Sequence, residues 1–234
     1  MNIKKSSELV IKVFDVINNA NKIEDISELL ITESELSKNK INISKYPKIE
    51  FDLTQDDINS LKMLNYLSLD NKFKISKEEL NEQSIITKLL YSIIWKNGDL
   101  GKEKHIIDGL LNIDKTDEKG LVFYNFGKYL GDKKEPIIDQ HTLRSYGIYL
   151  CINNEIKNII ERIPERRKNF NKMDITYYRK LSITSKKELP LIEDYKNWIK
   201  KNKLYKNKDF VYTLDLILFA LGKAIKSKDE QILE

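Results

Sequence analysis

Apolar residues along the chain recur at spacings of three and four, which is the period of an amphipathic α-helix. The pattern predicts a first helix with Ser7 as its capping residue and a second helix over residues 23–36. Residues 38–51 are polar and contain Pro47, which is typical of a linker, with one short strand at residues 41–46. We therefore expect helices at the N-terminal end, followed by a break in the helical pattern.

Capping signals mark the start of two further helices. Residues 54–57 begin with a threonine and end with an aspartate, and residues 76–79 form the Ser-x-x-Glu pattern of a capping box. Residues 85–95 have no clean polar face, which is typical of a helix with protein on all sides. We expect that helix to be central and buried, and to end at Asn97 before a glycine.

The second half of the chain is predicted to be helical as well. Helices are expected at residues 102–111, at residues 120–130, from Asp139 onward, around Tyr195 and at residues 210–225. In the helix at 120–130 the side chains expected to point inward are Val122, Phe126, Tyr129 and Leu130, and those expected to point outward are Asn125 and Lys128.

Helical segments without βαβ alternation indicate an all-α protein. We expect one compact unit with two helical lobes and a groove that holds the Asp139 helix. Residues 1–50 would supply N-terminal helices, residues 85–151 the core of the site, and residues 152–234 a basic C-terminal region.

Composition excludes several kinds of site. A single cysteine rules out a disulfide scaffold and a Cys₄ zinc or iron–sulfur site, and two histidines make a His-rich metal site unfavourable. We therefore expect no metal and no cofactor. The longest apolar run, residues 210–225, is too short and too charged to span a bilayer, and no leader sequence is evident. The expectation is a monomeric, cytoplasmic protein without a membrane.

Charge is unevenly distributed although the net formal charge is only +5. Residues 1–60 carry 8 basic and 11 acidic groups, a net charge of −3, whereas residues 152–234 carry 19 basic and 12 acidic groups, a net charge of +7. Arg166, Arg167 and Lys168 are candidate contacts to DNA phosphates in that basic region. A solvated charged face explains them equally well.

Residues 136–144 bring a carboxylate, an imidazole and a guanidinium to the start of a predicted helix. Asp139 enters the first turn, His141 follows two residues later, and Arg144 follows five residues later. Amides at a helix N-terminus carry partial positive charge, which keeps a nearby carboxylate ionised and binds phosphate. His141 adds a further donor in the same turn. Such a carboxylate suits chemistry on a sugar that is attached to a phosphate backbone.

This segment resembles the signature of the helix-hairpin-helix DNA glycosylase superfamily, which includes endonuclease III, the adenine glycosylase and the 8-oxoguanine glycosylases. Residues 138–144 read Ile-Asp-Gln-His-Thr-Leu-Arg and match an apolar residue followed by Asp-x-His-x-x-Arg. Upstream, Lys119, the predicted helix at 120–130 and the following loop reproduce the order of the family's elements. The resemblance covers about residues 85–151.

The resemblance implies excision of a flipped, modified or damaged base from double-stranded DNA. Asp139 would stabilise the positive charge that develops on the sugar, or would activate the nucleophile. With Lys119 as the nucleophile, a Schiff base forms and the strand can also be nicked; without it, water attacks. Lys128 is a second candidate amine. Trp95 is a candidate border of the base pocket, and His141 and Arg144 are candidate DNA contacts.

Simpler interpretations apply to each of these residues. Aspartate is a favoured N-cap, so Asp139 alone predicts a helix start, and Lys119 is one of many lysines. Residues 115–120 lack the Gly-x-Gly hairpin of the family, and its iron–sulfur cysteines are absent. The altered hairpin favours an alternative function, a non-catalytic DNA-binding or protein-interaction module of the same helical ancestry, whereas the intact Asp-x-His-x-x-Arg segment favours the enzyme.

Overall fold

A computed structural model describes residues 1–74, 76–114, 120–155, 174–181 and 188–226 of the chain. Its helices are α1 (Ile3–Asn19), α2 (Ile23–Ser27), α3 (Leu29–Thr32), α4 (Ser34–Asn39), α5 (Gln55–Met63), α6 (Lys77–Glu82), α7 (Ile85–Asn97), α8 (Glu103–Leu110), α9 (Leu121–Gly131), α10 (Gln140–Ile152), α11 (Ile175–Arg179), α12 (Leu189–Lys201) and α13 (Phe210–Ala224). No strand occurs among the described residues, where one isolated antiparallel bridge joins Leu67 and Phe73. The predicted all-α class is confirmed. None of these helices combines the length and the apolar character needed to cross a bilayer.

The chain divides into two compact units. The first unit combines residues 1–49 with the chain from residue 133 onward, and the second unit is the continuous segment 50–132. The predicted core at residues 85–151 is therefore divided, because α7, α8 and α9 belong to the second unit and α10 belongs to the first.

The first unit is organised around α10 and α13, which pack against each other. Helix α13 is apolar on nearly all sides, and it also packs against α4 and α2. Helices α1, α11 and α12 pack against α10. Rings from three of these helices form an aromatic cluster of Phe14, Tyr146, Tyr149, Tyr195 and Trp198. The helix that bears Asp139 is therefore fixed by the core of this unit on several sides.

Two glycines allow α8 and α9 to pack closely in the second unit. A Cβ atom on Gly109 would lie 1.9 Å from the carbonyl oxygen of Tyr124, and a Cβ on Gly127 would lie 1.9 Å from that of Ile106. Because the opposing atoms are backbone, no side-chain rotation could relieve either contact. Gly109 and Gly127 are therefore required by helix packing, whereas Gly98, Gly101 and Gly120 have positive φ.

The prediction that the helix at residues 85–95 is central and buried is wrong. On α7 the exposed fractions are 86% for Ile85, 67% for Ile86 and 54% for Leu90. In the described part of the chain no other helix packs extensively against α7. The central, apolar role belongs instead to α13 in the other unit, since burial depends on which elements surround a helix and not on its composition alone.

Two of the predicted capping pairs are confirmed. Thr54 Oγ1 accepts a hydrogen bond from the Asp57 amide at 3.2 Å, and Asp57 Oδ2 accepts one from the Thr54 amide at 2.7 Å. Ser76 and Glu79 make the same reciprocal pair, with distances of 3.1 Å and 2.7 Å. These contacts span three residues, so the local sequence is sufficient to specify them.

Other local predictions need correction. The expected strand at residues 41–46 is a turn, in which Asn42 Oδ1 accepts hydrogen bonds from the amides of Ser44 and Lys45. Asparagine forms such side-chain turns readily, which competes with extended structure. Asn125 is buried rather than outward, and its Nδ2 donates to the carbonyl oxygen of Leu121 at 2.9 Å.

Helix boundaries near the N-terminus also differ. The first helix begins at Ile3 and not after Ser7, because Asn2 Oδ1 caps it by accepting from the Lys5 amide at 2.9 Å. The single helix expected at residues 23–36 is divided into the short helices α2, α3 and α4.

Candidate active site

Asp139 is the N-cap of α10. Its backbone is extended, with φ −133° and ψ 175°, and its Oδ1 accepts hydrogen bonds from the amides of His141 and Thr142, both at 2.7 Å. The residue is partly exposed, and among the described residues no hydrogen bond reaches its Oδ2. One carboxylate oxygen, Oδ1, is thus held by the amides at the start of the helix.

The segment before Asp139 is anchored to the core. The side chain of Ile138 is fully buried, and the amide of Ile137 donates to Asp215 Oδ2 of α13 at 2.8 Å. Tyr195 Oη of α12 donates to the other oxygen, Asp215 Oδ1, at 3.4 Å. Asp215 therefore joins α12 and α13 to the backbone that precedes Asp139.

Asp215 lies in an environment that disfavours a charge. The residue is 6% exposed, and burial raises the pKa of its carboxyl well above 3.8. The charge of Asp139 raises that pKa further, whereas the hydrogen bonds from Ile137 and Tyr195 act in the opposite direction. In the sequence, Asp215 only interrupts an apolar run. Its position as an acidic residue on the apolar face of a helix is the signal from which this buried site could have been predicted.

Arg144 is buried, with an exposed fraction of 1%. Its Nη1 donates to the carbonyl oxygen of Gly222 at 2.9 Å, and its Nη2 donates to that of Leu181 at 3.1 Å. Burial lowers the pKa of the guanidinium to about 10. The expected DNA contact of Arg144 is therefore wrong, because the side chain has almost no exposed surface and instead ties α10 to α13 and to residue 181.

His141 is half-buried and bonded to Arg144. Nη1 of Arg144 lies 2.7 Å from His141 Nδ1, and a guanidinium can only donate, so Nδ1 accepts and the ring proton resides on Nε2. Burial lowers the pKa of His141, and the positive charges of Arg144 and Lys226 lower it further, against the opposing effects of the Asp139 charge and of a hydrogen bond with the Gly222 backbone. His141 is therefore a neutral Nε2–H donor at neutral pH.

Close packing of two backbones brings α13 to the start of α10. A Cβ atom on Gly222 would lie 1.9 Å from the carbonyl oxygen of His141. The other seven glycines of the sequence lie between residues 98 and 147, and the glycine at position 222 is required by tertiary packing. The same approach places the Gly222 carbonyl within reach of Arg144.

Three exposed lysines lie next to residues of this site. Lys226 is close enough for its charge to lower the pKa of His141. Lys223 follows Gly222 in sequence, and Lys180 precedes Leu181, whose carbonyl oxygen binds Arg144. Because lysines are frequent throughout the chain, the sequence alone does not distinguish Lys180, Lys223 or Lys226 from the others.

Several predicted site residues lie outside the described part of the chain. These are Lys119, Arg166, Arg167 and Lys168, together with the side chain of Trp95. The second candidate amine, Lys128, lies on α9 with its Nζ 5.4 Å from the ring centroid of Tyr124. Within the described ranges no group of three or more His, Cys, Asp or Glu side chains could hold a metal ion.

The described arrangement offers an anionic oxygen, the positive end of a helix and nearby cations. A carboxylate held in this way can stabilise a developing positive charge or can orient a water molecule. No family model, curated protein or solved structure matches the chain in the comparisons with known proteins.

Proposed function

We propose that the protein excises a modified or damaged base from double-stranded DNA, as an N-glycosylase acting on a flipped nucleotide. The observation that carries the proposal is the state of Asp139: Oδ1 is fixed by two amides of α10, whereas Oδ2 has no hydrogen bond within the described residues and the side chain is partly exposed. The resemblance of residues 138–144 to the glycosylase signature supports the same assignment.

The proposed reaction breaks the bond between the sugar C1′ and the base nitrogen. The bonding electron pair leaves with the base, which takes up a proton, and positive charge develops on the sugar ring. The Asp139 carboxylate stabilises this charge, as carboxylates do at glycosidic centres. Water then forms the new bond to C1′ and loses a proton, which leaves an abasic site.

A variant of this chemistry uses an amine in place of water. If Lys119 attacks C1′, a Schiff base with the opened sugar forms and strand cleavage can follow. Lys128 is the alternative amine. The route with water and the route with an amine both include loss of the base, so the role of Asp139 is the same in either route.

Exposed cations beside the site favour a polyanionic partner. Lys180, Lys223 and Lys226 supply charge, and the Nε2–H of His141 supplies a neutral donor. Contacts between lysines and phosphates release counterions, so DNA affinity should fall steeply as salt concentration rises. A flat salt response would contradict this mode of binding.

The direct test measures release of free base from duplex oligonucleotides that each carry one modified base, such as uracil, an alkylated purine or an oxidised purine. Asp139→Asn should reduce the rate by about 10²–10³-fold. Asparagine is as good an N-cap as aspartate, so the fold should be kept and the loss should reflect the charge. Asp15→Asn, which alters an exposed aspartate of α1, is the matched control.

Each outcome of this test has a defined meaning. Base release that is unchanged in Asp139→Asn would refute the role of Asp139. Salt-dependent DNA binding without base release from any substrate would favour the non-catalytic binding module. Borohydride trapping of a covalent DNA adduct that is lost in Lys119→Ala would establish the lyase variant, and trapping that persists would transfer the role to another amine such as Lys128.

A further inference from the structure

Asp215 is a buried acid whose presence the apolar packing of α13 does not explain. It is 6% exposed, and its helical neighbours Leu214, Ile217 and Leu218 are fully buried apolar residues. No salt bridge to Asp215 occurs among the residues that the structure describes. An uncompensated buried carboxylate is costly, so this acid requires a specific partner or a proton.

The main partner of Asp215 is a backbone amide outside any helix. Ile137 lies in the extended segment that leads into α10, and its N–H donates to Asp215 Oδ2 at 2.8 Å. Without this acceptor the Ile137 amide would lose its hydrogen bond. The next residue, Ile138, is fully buried, so both the backbone and the side chain of this short segment are fixed.

The position of Ile137 bears directly on Asp139. Extended backbone advances by about 3.3 Å per residue, so the anchored amide is within about 7 Å of the Asp139 Cα. On its other side Asp139 is held by the amides of His141 and Thr142. The segment is therefore clamped at both ends, by Asp215 before Asp139 and by the α10 amides after it.

We propose that Asp215 is a positioning residue for Asp139: its carboxyl oxygen accepts the Ile137 N–H, fixes the entry into α10, and thereby sets the direction in which Asp139 Oδ2 projects. This inference rests on the proposed function for the meaning of Asp139, but the clamp itself is measurable without any substrate. Asp215 does not contact the reacting atoms in this scheme.

The groups that face Asp215 act on its pKa in opposite directions. They are Tyr195 on α12 and, from the segment before α10, the Ile137 amide and the Asp139 carboxylate. Burial raises the pKa of Asp215 and the Asp139 charge raises it further. The hydrogen bonds from the Ile137 amide and the Tyr195 hydroxyl lower that pKa.

The first experiment measures amide hydrogen exchange by NMR in the wild-type protein. Ile137 should exchange at least about tenfold more slowly than a free amide although it lies outside every helix. Rapid exchange of Ile137 would overturn the proposal without any variant, so the test does not depend on how a substitution folds.

Two variants then separate positioning from general stability. Asp215→Leu removes the acceptor, and we expect exchange at Ile137, His141 and Thr142 to accelerate by about tenfold or more relative to the Val13 amide of α1. Asp215→Asn keeps an acceptor oxygen and should keep these ratios within about threefold. Equal acceleration at Val13 would indicate a purely structural role and would contradict the proposal.

The enzymatic readout distinguishes this inference from the proposed function. On a substrate that the wild type processes, Asp215→Leu should lower kcat with little change in KM, and Asp215→Asn should restore kcat. Unchanged kcat in Asp215→Leu would refute the positioning role. Failure of the wild type to release any base, with the exchange pattern as expected, would refute the proposed function and leave the clamp intact.

Discussion

Substitution of Arg144 by methionine provides a quantitative test of the packing around the site. The change keeps an unbranched apolar side chain and removes the guanidinium, which leaves the carbonyl oxygens of Gly222 and Leu181 and the Nδ1 of His141 without their donor. Each buried acceptor that loses its partner costs about 1–3 kcal/mol.

The gain from removing a buried charge partly offsets that cost. Arg144 is 1% exposed and its Nε has no hydrogen-bond partner. The free-energy cost of removing this charged group from water therefore reduces the net stabilisation that its three hydrogen bonds provide. We expect a net loss of about 3 kcal/mol in the free energy of unfolding for Arg144→Met. Arg144→Lys, which keeps the charge but cannot reach both carbonyl groups, should lose about half as much.

Urea denaturation measures this loss, and Lys12→Met, at an exposed lysine of α1, is a control that should change stability by less than about 0.5 kcal/mol. NMR titration of the histidine rings supplies a second readout. Loss of the Arg144 charge should raise the pKa of His141 toward 6.5, with His105 as the internal reference. Stability equal to wild type together with an unchanged His141 titration would refute the assigned role of Arg144.

Further predictions concern packing, pH and exposed surface. Gly222→Ala should destabilise the protein by about 1–3 kcal/mol in thermal unfolding, since its Cβ would meet the backbone of His141 at 1.9 Å; an unchanged Tm would contradict that close approach. Because the folded-state pKa of Asp215 is raised above 3.8, its contribution to stability is complete below pH 3.8 and is lost as pH rises through the folded-state value. Asp215→Asn should abolish that part of the pH dependence in denaturation curves, and an identical pH profile would argue against it. Ile86→Lys and Leu90→Lys, at side chains 67% and 54% exposed, should each change the free energy of unfolding by less than about 0.5 kcal/mol, whereas a loss above about 1 kcal/mol would show that α7 is packed.

Predictions from the sequence succeeded where the two interacting residues are close together along the chain. The capping pairs of Thr54 with Asp57 and of Ser76 with Glu79 span three residues, and so does the hydrogen bond that the Thr142 amide donates to Asp139. Helix periodicity gave the all-α class for the same reason, since an amphipathic pattern is a local property.

Predictions failed where burial depends on distant elements. The apolar helix α7 is exposed, and the more central helix is α13. Asn125 is buried although its type suggests a surface position. Composition measures how readily a side chain can be buried, whereas the surrounding helices decide whether it is.

In the candidate site, too, local features could be predicted from the sequence and contacts between distant segments could not. The sequence by itself determined that a helix starts at Asp139 and that His141 and Arg144 lie within its first two turns. Only the tertiary structure decided that Arg144 is an internal anchor, because its acceptors at Gly222 and Leu181 lie 78 and 37 residues away along the chain. Asp215 joins the site through a contact that likewise spans 78 residues. Such contacts form only when the core brings distant segments together, and the free energy of burying and pairing polar groups there has no counterpart in the local sequence.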